Sequence, residues 1–191
     1  MWKRLLKENE HHEVFVGLCK KEKIEGVKWC LNHTPNDNVM KAMIEDNDNK
    51  EQRFPLLWAI FHNKTNAISL VLIKEHKRLN ADFLTTCDAT GYNVLIYATY
   101  ALDSGRLQVL KEVVDIYKNA KKLDLREKAN GANAFMMASR FGHYDCVKFL
   151  IEYYKEASLL HEKSKYGMNA LQYAKRFNHE EIVSLLQQYY E

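Results

Sequence analysis

Apolar residues recur along this chain in groups of four, with the spacing i, i+1, i+4 and i+5. That spacing places the four side chains on one stripe of an α-helix, so each group predicts an amphipathic helix. Polar stretches separate the groups, and the last group closes on Gln187 instead of an apolar residue. The groups are Gly26, Val27, Cys30 and Leu31; Ala67, Ile68, Val71 and Leu72; Val109, Leu110, Val113 and Val114; Cys146, Val147, Leu150 and Ile151; and Ile182, Val183 and Leu186.

A second apolar stretch precedes each of these predicted helices. Three such stretches align as TGYNVLIYA, NGANAFMMA and YGMNALQYA, and their inner alanines, Ala98, Ala138 and Ala174, share one register. Ala59 and Leu18 extend that register towards the N-terminus, at spacings of 36 to 41 residues. Such a period is typical of a repeat solenoid. We therefore predict a single repeat domain of five helix-turn-helix units, over residues 10–35, 52–80, 88–120, 128–160 and 164–191.

The predicted helix ends carry residues that suit them. An asparagine side chain can accept a hydrogen bond from a free N–H group in the first turn of a helix. In the second unit Pro55 takes the first helical position, where proline is tolerated. The polar link 36–51 is predicted to hold one short helix, capped by Asn36 or Asp37. The other predicted N-caps are Asn93, Asn133 and Asn169.

The repeated unit resembles the ankyrin repeat. Its motif runs D-x-x-G-x-T-P-L-H-x-A-A-x-x-G-H-x-x-V-V-x-x-L-L. The resemblance covers roughly residues 10–191 and is clearest after Asp88, which opens the third unit together with Gly91. The matching residues are Gly131, Asn133, Ala134, Phe135, Ala138, Gly142, His143, Val147, Leu150 and Ile151 in the fourth unit, and Gly167, Asn169, Leu171, Ala174, His179, Val183 and Leu186 in the fifth.

The chain departs from the family motif in three ways. The histidine of the T-P-L-H step is absent, the period is longer, and no Gly-Ala hairpin follows the second helices. The resemblance implies an all-α, ankyrin-like helix-turn-helix solenoid of stacked helix pairs. A related α-solenoid without hairpin fingers is the alternative. The resemblance to the ankyrin repeat also implies that His143 and His179 have a structural role in the turn between helices.

Composition and charge narrow the classes of protein further. Seven glycines and two prolines in 191 residues are too few for the many tight turns of an all-β protein. No apolar run approaches the roughly 18 residues of a membrane span, and the start MWKRLLKENE lacks the apolar stretch of a secretory signal. We expect an intracellular, cytoplasmic protein, with an organelle transit peptide as the alternative.

Motifs for catalysis or for metal binding are missing from the sequence. The four cysteines are far apart, and the eight histidines lack the spacing of zinc ligands. There is no phosphate-binding loop and no nucleophile elbow. Cys30 and Cys146 fall on the core stripe, which predicts buried free thiols. We therefore expect no enzymatic activity, no metal and no cofactor.

A surface is the remaining candidate site. The resemblance implies a concave face, lined by the ends of the first helices and by the loops before them. The residues expected there are aromatic and basic, and arginine and aromatic side chains are preferred anchors of protein interfaces. Alternatively, Phe141 and Phe177 only pack between neighbouring units. The expected partner-binding residues are Lys20, Lys21, Phe61, His62, Tyr92, Tyr100, Arg140, Phe141, Lys165, Tyr166, Met168, Arg176 and Phe177.

These observations predict a non-catalytic protein–protein interaction module, acting as an adaptor, a scaffold or an accessory subunit of a larger assembly. A partner with acidic and apolar contact residues would complement the surface, and no membrane partner is expected. The alternative is single-stranded nucleic-acid binding along an aromatic and basic groove. The net charge of +3, spread evenly, counts against that alternative. Two tyrosine pairs, Tyr153–Tyr154 and Tyr189–Tyr190, either cover the convex side or dock a neighbour.

Overall fold

A computed structural model of the protein describes residues 11–46, 52–62, 66–80, 82–100, 106–127 and 129–190. Within these ranges the chain forms eleven helices and no strand, so the predicted all-α fold class is confirmed. The chain divides into two compact units, residues 1–89 and 90–191.

Ten of the described helices form five pairs, each made of a first and a second helix. The helix α3 (Asp37–Glu45) lies in the link between the first two pairs. The first helices are α1 (His11–Lys20), α4 (Pro55–His62), α6 (Val94–Tyr100), α8 (Ala134–Phe141) and α10 (Ala170–Arg176). The second helices are α2 (Ile24–His33), α5 (Ala67–Leu79), α7 (Arg106–Asn119), α9 (Tyr144–Glu156) and α11 (Glu180–Tyr190).

The unit 90–191 is a stack of three helix pairs. Its first helices contact in the order α6, α8, α10, and its second helices in the order α7, α9, α11. The apolar groups of the sequence pattern supply the core between them, and Leu110, Val114 and Leu150 are completely buried. Because one pair cannot bury its own stripe, each pair depends on its neighbour for stability.

Asparagine caps begin all three first helices of this unit. The Asn93 side chain accepts from the backbone N–H of Ile96 at 2.9 Å, and Asn133 accepts from Met136 at 3.0 Å. Asn169 forms a reciprocal capping box, in which the Gln172 side chain also accepts from the Asn169 backbone. The predicted N-caps are therefore confirmed.

Two histidines connect neighbouring repeats of the same unit. A ring N–H of His143 donates to the backbone carbonyl of Thr99 in α6. The Nε2–H group of His179 donates to the carbonyl of Arg140 in α8, at 2.8 Å. His179 also packs on Gly142, which has a φ of +78°. The imidazole ring leaves no room for a side chain there, because a Cβ atom would lie 2.6 Å from it. This structural role of both histidines agrees with the family resemblance.

Tyrosine hydroxyl groups near the C-terminal ends of the second helices α9 and α11 also bind the backbone. Tyr154 is completely buried, and its hydroxyl donates to the Leu123 carbonyl at 2.7 Å. The hydroxyl of Tyr190 donates to the carbonyl of Leu160. Of the four paired tyrosines, these two therefore pack inward and stabilise the links between repeats.

Hydrogen-bonded loops join the helix pairs of this unit. Glu127 is only 1% exposed, and its carboxylate accepts from the backbone N–H groups of Ala129 and Asn130 at 2.6 Å and of Ala132 at 3.2 Å. The next loop continues this arrangement, because the Lys165 N–H donates to the Asn130 carbonyl at 2.9 Å. A buried carboxylate is costly unless it is hydrogen-bonded, and three donors meet that requirement here.

The unit 1–89 is built differently. Its first helices α1 and α4 contact each other, as do α2 and α5, while α3 packs against α1, α4 and α5. Asn36 caps α3, and Arg78 on α5 holds the start of α3 through Asp37 at 2.9 Å. At the end of α5 the buried His76 ring lies edge-on to Phe54 and Phe83.

Candidate functional site

The residues predicted to bind a partner lie mostly at the C-terminal ends of the first helices. Lys20, His62, Tyr100, Phe141 and Arg176 are each the last residue of such a helix. Basic side chains are favoured at this end because it carries the negative pole of the helix dipole. The repeat register therefore places aromatic or basic side chains at the C-terminal end of each first helix.

In the unit 1–89 these residues form a cluster around one tryptophan, which we call the tryptophan patch: Lys20, Arg53, Trp58, Phe61 and His62. The Lys20 ammonium lies 3.8 Å from the centre of the Trp58 ring, and the Arg53 guanidinium lies 4.8 Å from it. The His62 ring stacks on Trp58 at 5.2 Å. Trp58 is 5% exposed and Phe61 41% exposed, so the patch has a buried floor and an open aromatic edge.

Two members of the tryptophan patch, Arg53 and Trp58, are absent from the sequence prediction. Trp58 adjoins the register alanine Ala59 and is therefore assigned to the core by the pattern alone. Arg53 precedes the helix, where the repeat carries no signal. The buried carboxylate of Asp88 helps to position it, with Oδ2 3.5 Å from the Arg53 Nε. Lys21, which was predicted, is exposed in the turn after α1.

In the unit 90–191 the predicted residues form a row across three repeats, which we call the arginine ladder: Tyr100, Arg140, Phe141, Arg176 and Phe177. Phe141 meets Tyr100 edge-on, with ring centres 4.6 Å apart. The Arg140 guanidinium lies 5.6 Å from the Phe141 ring centre and 5.3 Å from that of Phe177 in the next repeat. Phe141 thus packs between repeats, whereas Phe177 is 41% exposed.

The other predicted residues of this unit lie around the ladder. Tyr92 extends it at one end, 6.3 Å from the Tyr100 ring, and the Met168 sulfur lies 3.6 Å from a guanidinium nitrogen of Arg176. Tyr166 is 65% exposed on the loop before α10. Lys165 instead lies along Gly131 of the preceding loop, where a Cβ atom would come within 2.7 Å of its side chain.

The comparison with known families agrees with this architecture. Residues 100–191 match the family model of ankyrin repeats, in three copies. Residues 100–191 belong to the ankyrin repeat family. The predicted family is therefore confirmed, and with it the helix-turn-helix solenoid. No curated protein sequence matches the chain. Ankyrin repeats are in general protein–protein interaction modules, and they are typically non-catalytic.

Two buried thiols in the unit 1–89 are held in their neutral form. Cys19 and Cys30 are buried on facing helices, and burial raises the pKa of both thiols. A raised pKa disfavours the thiolate, which is the nucleophilic form. Among the described residues, no group of three or more His, Cys, Asp or Glu side chains could hold a metal ion. No helix in the described ranges is both long and apolar enough to cross a membrane.

A surface groove of about 410 Å³ lies in the unit 90–191 and is lined by residues between 118 and 159. An ion pair between Lys118 and Glu156, with a separation of 2.7 Å, joins two of its lining residues. The lining carries both basic and acidic side chains, in contrast with the basic and aromatic arginine ladder. The residues that line it are Lys118, Lys121, Leu123, Asp124, Glu156, Ala157 and Leu159.

Proposed function

We propose that this ankyrin repeat protein is a non-catalytic, intracellular adaptor, scaffold or accessory subunit that binds a partner protein. The proposed contact surface lies in residues 90–191 and is formed by the C-terminal ends of α6, α8 and α10, the expected concave face of that unit. The observation that carries the proposal is the arginine ladder, in which the same two residue types, arginine and phenylalanine, recur at equivalent positions of neighbouring repeats.

Interface energetics support this choice. Binding energy concentrates in a few arginine and aromatic anchors that lose contact with water. Arg140 is half-buried and held between aromatic rings, so little side-chain entropy is lost when a partner covers it. The partner surface that complements the ladder carries acidic groups beside apolar ones.

The experiment compares co-eluting proteins for two charge-reversal variants in cells of the source organism. In the test variant, Arg140→Glu and Arg176→Glu reverse both ladder charges. In the control variant, Lys111→Glu and Lys148→Glu make the same change of charge on exposed positions of the second helices α7 and α9. Gel filtration followed by mass spectrometry identifies proteins bound to each chain, and circular dichroism checks that each variant is folded.

We expect the wild-type chain and the control variant to elute with the same partner, and the test variant to lose it while remaining folded. Equal co-elution of the partner with both variants would contradict the proposed surface. Elution of the wild-type chain as a bare monomer under all conditions would contradict a stable subunit role.

A further inference from the structure

The sequence contains one asparagine that is followed directly by glycine, Asn130–Gly131. Asparagine is a chemically labile residue, and it is most labile before glycine, because no side chain hinders attack by the next backbone nitrogen. In this reaction the Gly131 nitrogen forms a bond to Cγ of Asn130. The Gly131 proton and the side-chain NH2 group leave together as ammonia, and a succinimide ring remains. Water then opens the ring to aspartate or isoaspartate, so the chain gains one negative charge.

Every backbone polar group of this dipeptide is hydrogen-bonded in the folded chain. The Asn130 N–H donates to the Glu127 carboxylate at 2.6 Å, and the Gly131 N–H donates to the Glu127 carbonyl at 3.2 Å. The Asn130 carbonyl accepts from the Lys165 N–H at 2.9 Å, and the Gly131 carbonyl accepts from the Arg126 guanidinium at 3.4 Å. The dipeptide is therefore held by its own loop and by the loop of the next repeat.

These hydrogen bonds oppose deamidation in two ways. The attacking nitrogen must give up its proton, and in this loop the Gly131 N–H is bound to a carbonyl oxygen. The nitrogen must also come within bonding distance of Cγ, which requires rotation of the backbone. The present conformation is fixed by the hydrogen bonds, with a φ of +65° at Gly131 and the Lys165 side chain packed against that residue. The reaction therefore requires that the loop opens first.

We infer that Asn130 is a latent deamidation site, which the hydrogen bonds of Glu127 protect in the folded chain and which is modified when the loop opens. Glu127 is 1% exposed, and its carboxylate also accepts from the N–H groups of Ala129 and Ala132. The product weakens the same loop, because it adds a second carboxylate beside Glu127, and isoaspartate also lengthens the backbone by one methylene. A temporary opening of the loop thus becomes a permanent one.

The test follows modification of Asn130 in the full chain by peptide mass spectrometry, during incubation in warm, mildly alkaline buffer. A free peptide with the sequence of residues 126–134 gives the unprotected rate. We expect deamidation to be at least about tenfold slower in the folded chain than in the peptide, the effect of one hydrogen bond to a charged group.

A matched pair of variants assigns the protection to one side chain. Glu127→Gln should raise the rate in the folded chain about tenfold, because an amide has one acceptor oxygen where a carboxylate has two. The control Glu152→Gln removes the same charge from an exposed position on α9 and should leave the rate unchanged.

A second measurement keeps the inference testable if Glu127→Gln does not fold. In the wild-type chain the deamidation rate should rise with urea as residues 90–191 unfold, and it should reach the peptide rate in the unfolded chain. Tyrosine absorbance reports this unfolding, since all eleven tyrosines lie in that unit. Three results would overturn the inference: equal rates in the folded chain and the peptide, a rate that does not depend on urea, or no acceleration in a folded Glu127→Gln variant.

Discussion

The two units of this chain stabilise their helix pairs with different aromatic residues. All eleven tyrosines lie in residues 90–191, and all three tryptophans lie in residues 1–89. In the second unit, tyrosine, histidine and asparagine side chains bind backbone groups at repeating positions. In the first unit, His76 lies between phenylalanine rings, and the tryptophan patch packs cations against Trp58.

This difference teaches why the repeat is easy to recognise in one unit and hard to recognise in the other. A side chain that forms a hydrogen bond to a backbone atom needs a particular polar group at a particular distance from its own backbone. Few residue types meet both requirements. Apolar packing accepts many combinations of similar volume. The ankyrin family match accordingly begins at residue 100, inside the unit with the regular hydrogen bonds.

The same partition supplies a measurement for each unit. Tryptophan fluorescence reports on residues 1–89, and tyrosine absorbance reports on residues 90–191. Unfolding in urea, followed with both signals, therefore shows which unit a substitution affects.

Removing a buried phenylalanine should have the largest effect. Phe135 is 1% exposed and stacks on Tyr154 at 5.0 Å, while Phe54 in the first unit is equally buried beside His76. Because each substitution leaves a cavity, we expect Phe135→Ala and Phe54→Ala to lower the free energy of unfolding by about 3–5 kcal/mol. The tyrosine signal should move to lower urea for the first and the tryptophan signal for the second. A change below about 1 kcal/mol in either would contradict the assigned core.

A glycine pair isolates the contribution of one histidine. Gly142 and Gly167 both have a positive φ, but only at Gly142 would a Cβ atom meet a neighbour, the ring of His179. Both alanine substitutions incur a backbone cost of about 1–2 kcal/mol. Gly142→Ala should cost about 1 kcal/mol more, because His179 must leave the Arg140 carbonyl. Equal urea midpoints for the two variants would show that the histidine bond contributes nothing.

Caps of the two units should differ in strength. Asn133 is completely buried, caps α8 and also donates to Asp124 at 2.9 Å. Asn36, which caps α3, is exposed. We expect Asn133→Ala to cost about 1–2 kcal/mol and Asn36→Ala about 0.5–1 kcal/mol. Thermal unfolding monitored by circular dichroism ranks the two, and the reverse order would be inconsistent with the buried hydrogen bonds.

A small effect at neutral pH, but the largest dependence on pH, should come from a buried tyrosine. Tyr154→Phe removes the hydrogen bond to the Leu123 carbonyl, at a cost of about 1 kcal/mol. Burial raises the pKa of Tyr154 above its ordinary value, so the folded state retains a proton that the unfolded state releases. The corresponding stability is present below about pH 10 and is lost as the pH rises further.

The free energy of unfolding of the wild-type chain should therefore fall above about pH 10, and that of the Tyr154→Phe variant should fall less steeply. Urea midpoints between pH 8 and pH 11 provide the measurement, with the exposed Tyr166→Phe as the control. Parallel curves for wild type and Tyr154→Phe would show that ionisation of this hydroxyl is not linked to folding.

The sequence alone predicts the helix pairs and much of the arginine ladder, because both follow the repeat register. The repeat register does not predict the contacts of side chains that are positioned by irregular backbone between the helices. Arg53 enters the tryptophan patch from outside the repeat, and Asp88 positions it. Glu127 is buried because a loop turns three N–H groups towards it, and Lys165 lies along Gly131 because that loop is tightly bent. No periodic pattern contains such information.

The histidine bonds also determine how this protein could grow. The repeat made of α8 and α9 donates from His143 to the repeat before it and accepts, at Arg140, from the repeat after it. It therefore carries complementary ends, like a monomer that polymerises head to tail. A tandem duplication of this segment would place a new histidine beside an existing carbonyl, and each added copy would bring another Arg-Phe step. Lengthening the array would thus extend the row of arginine and phenylalanine side chains, and it would use only contacts that the protein already forms.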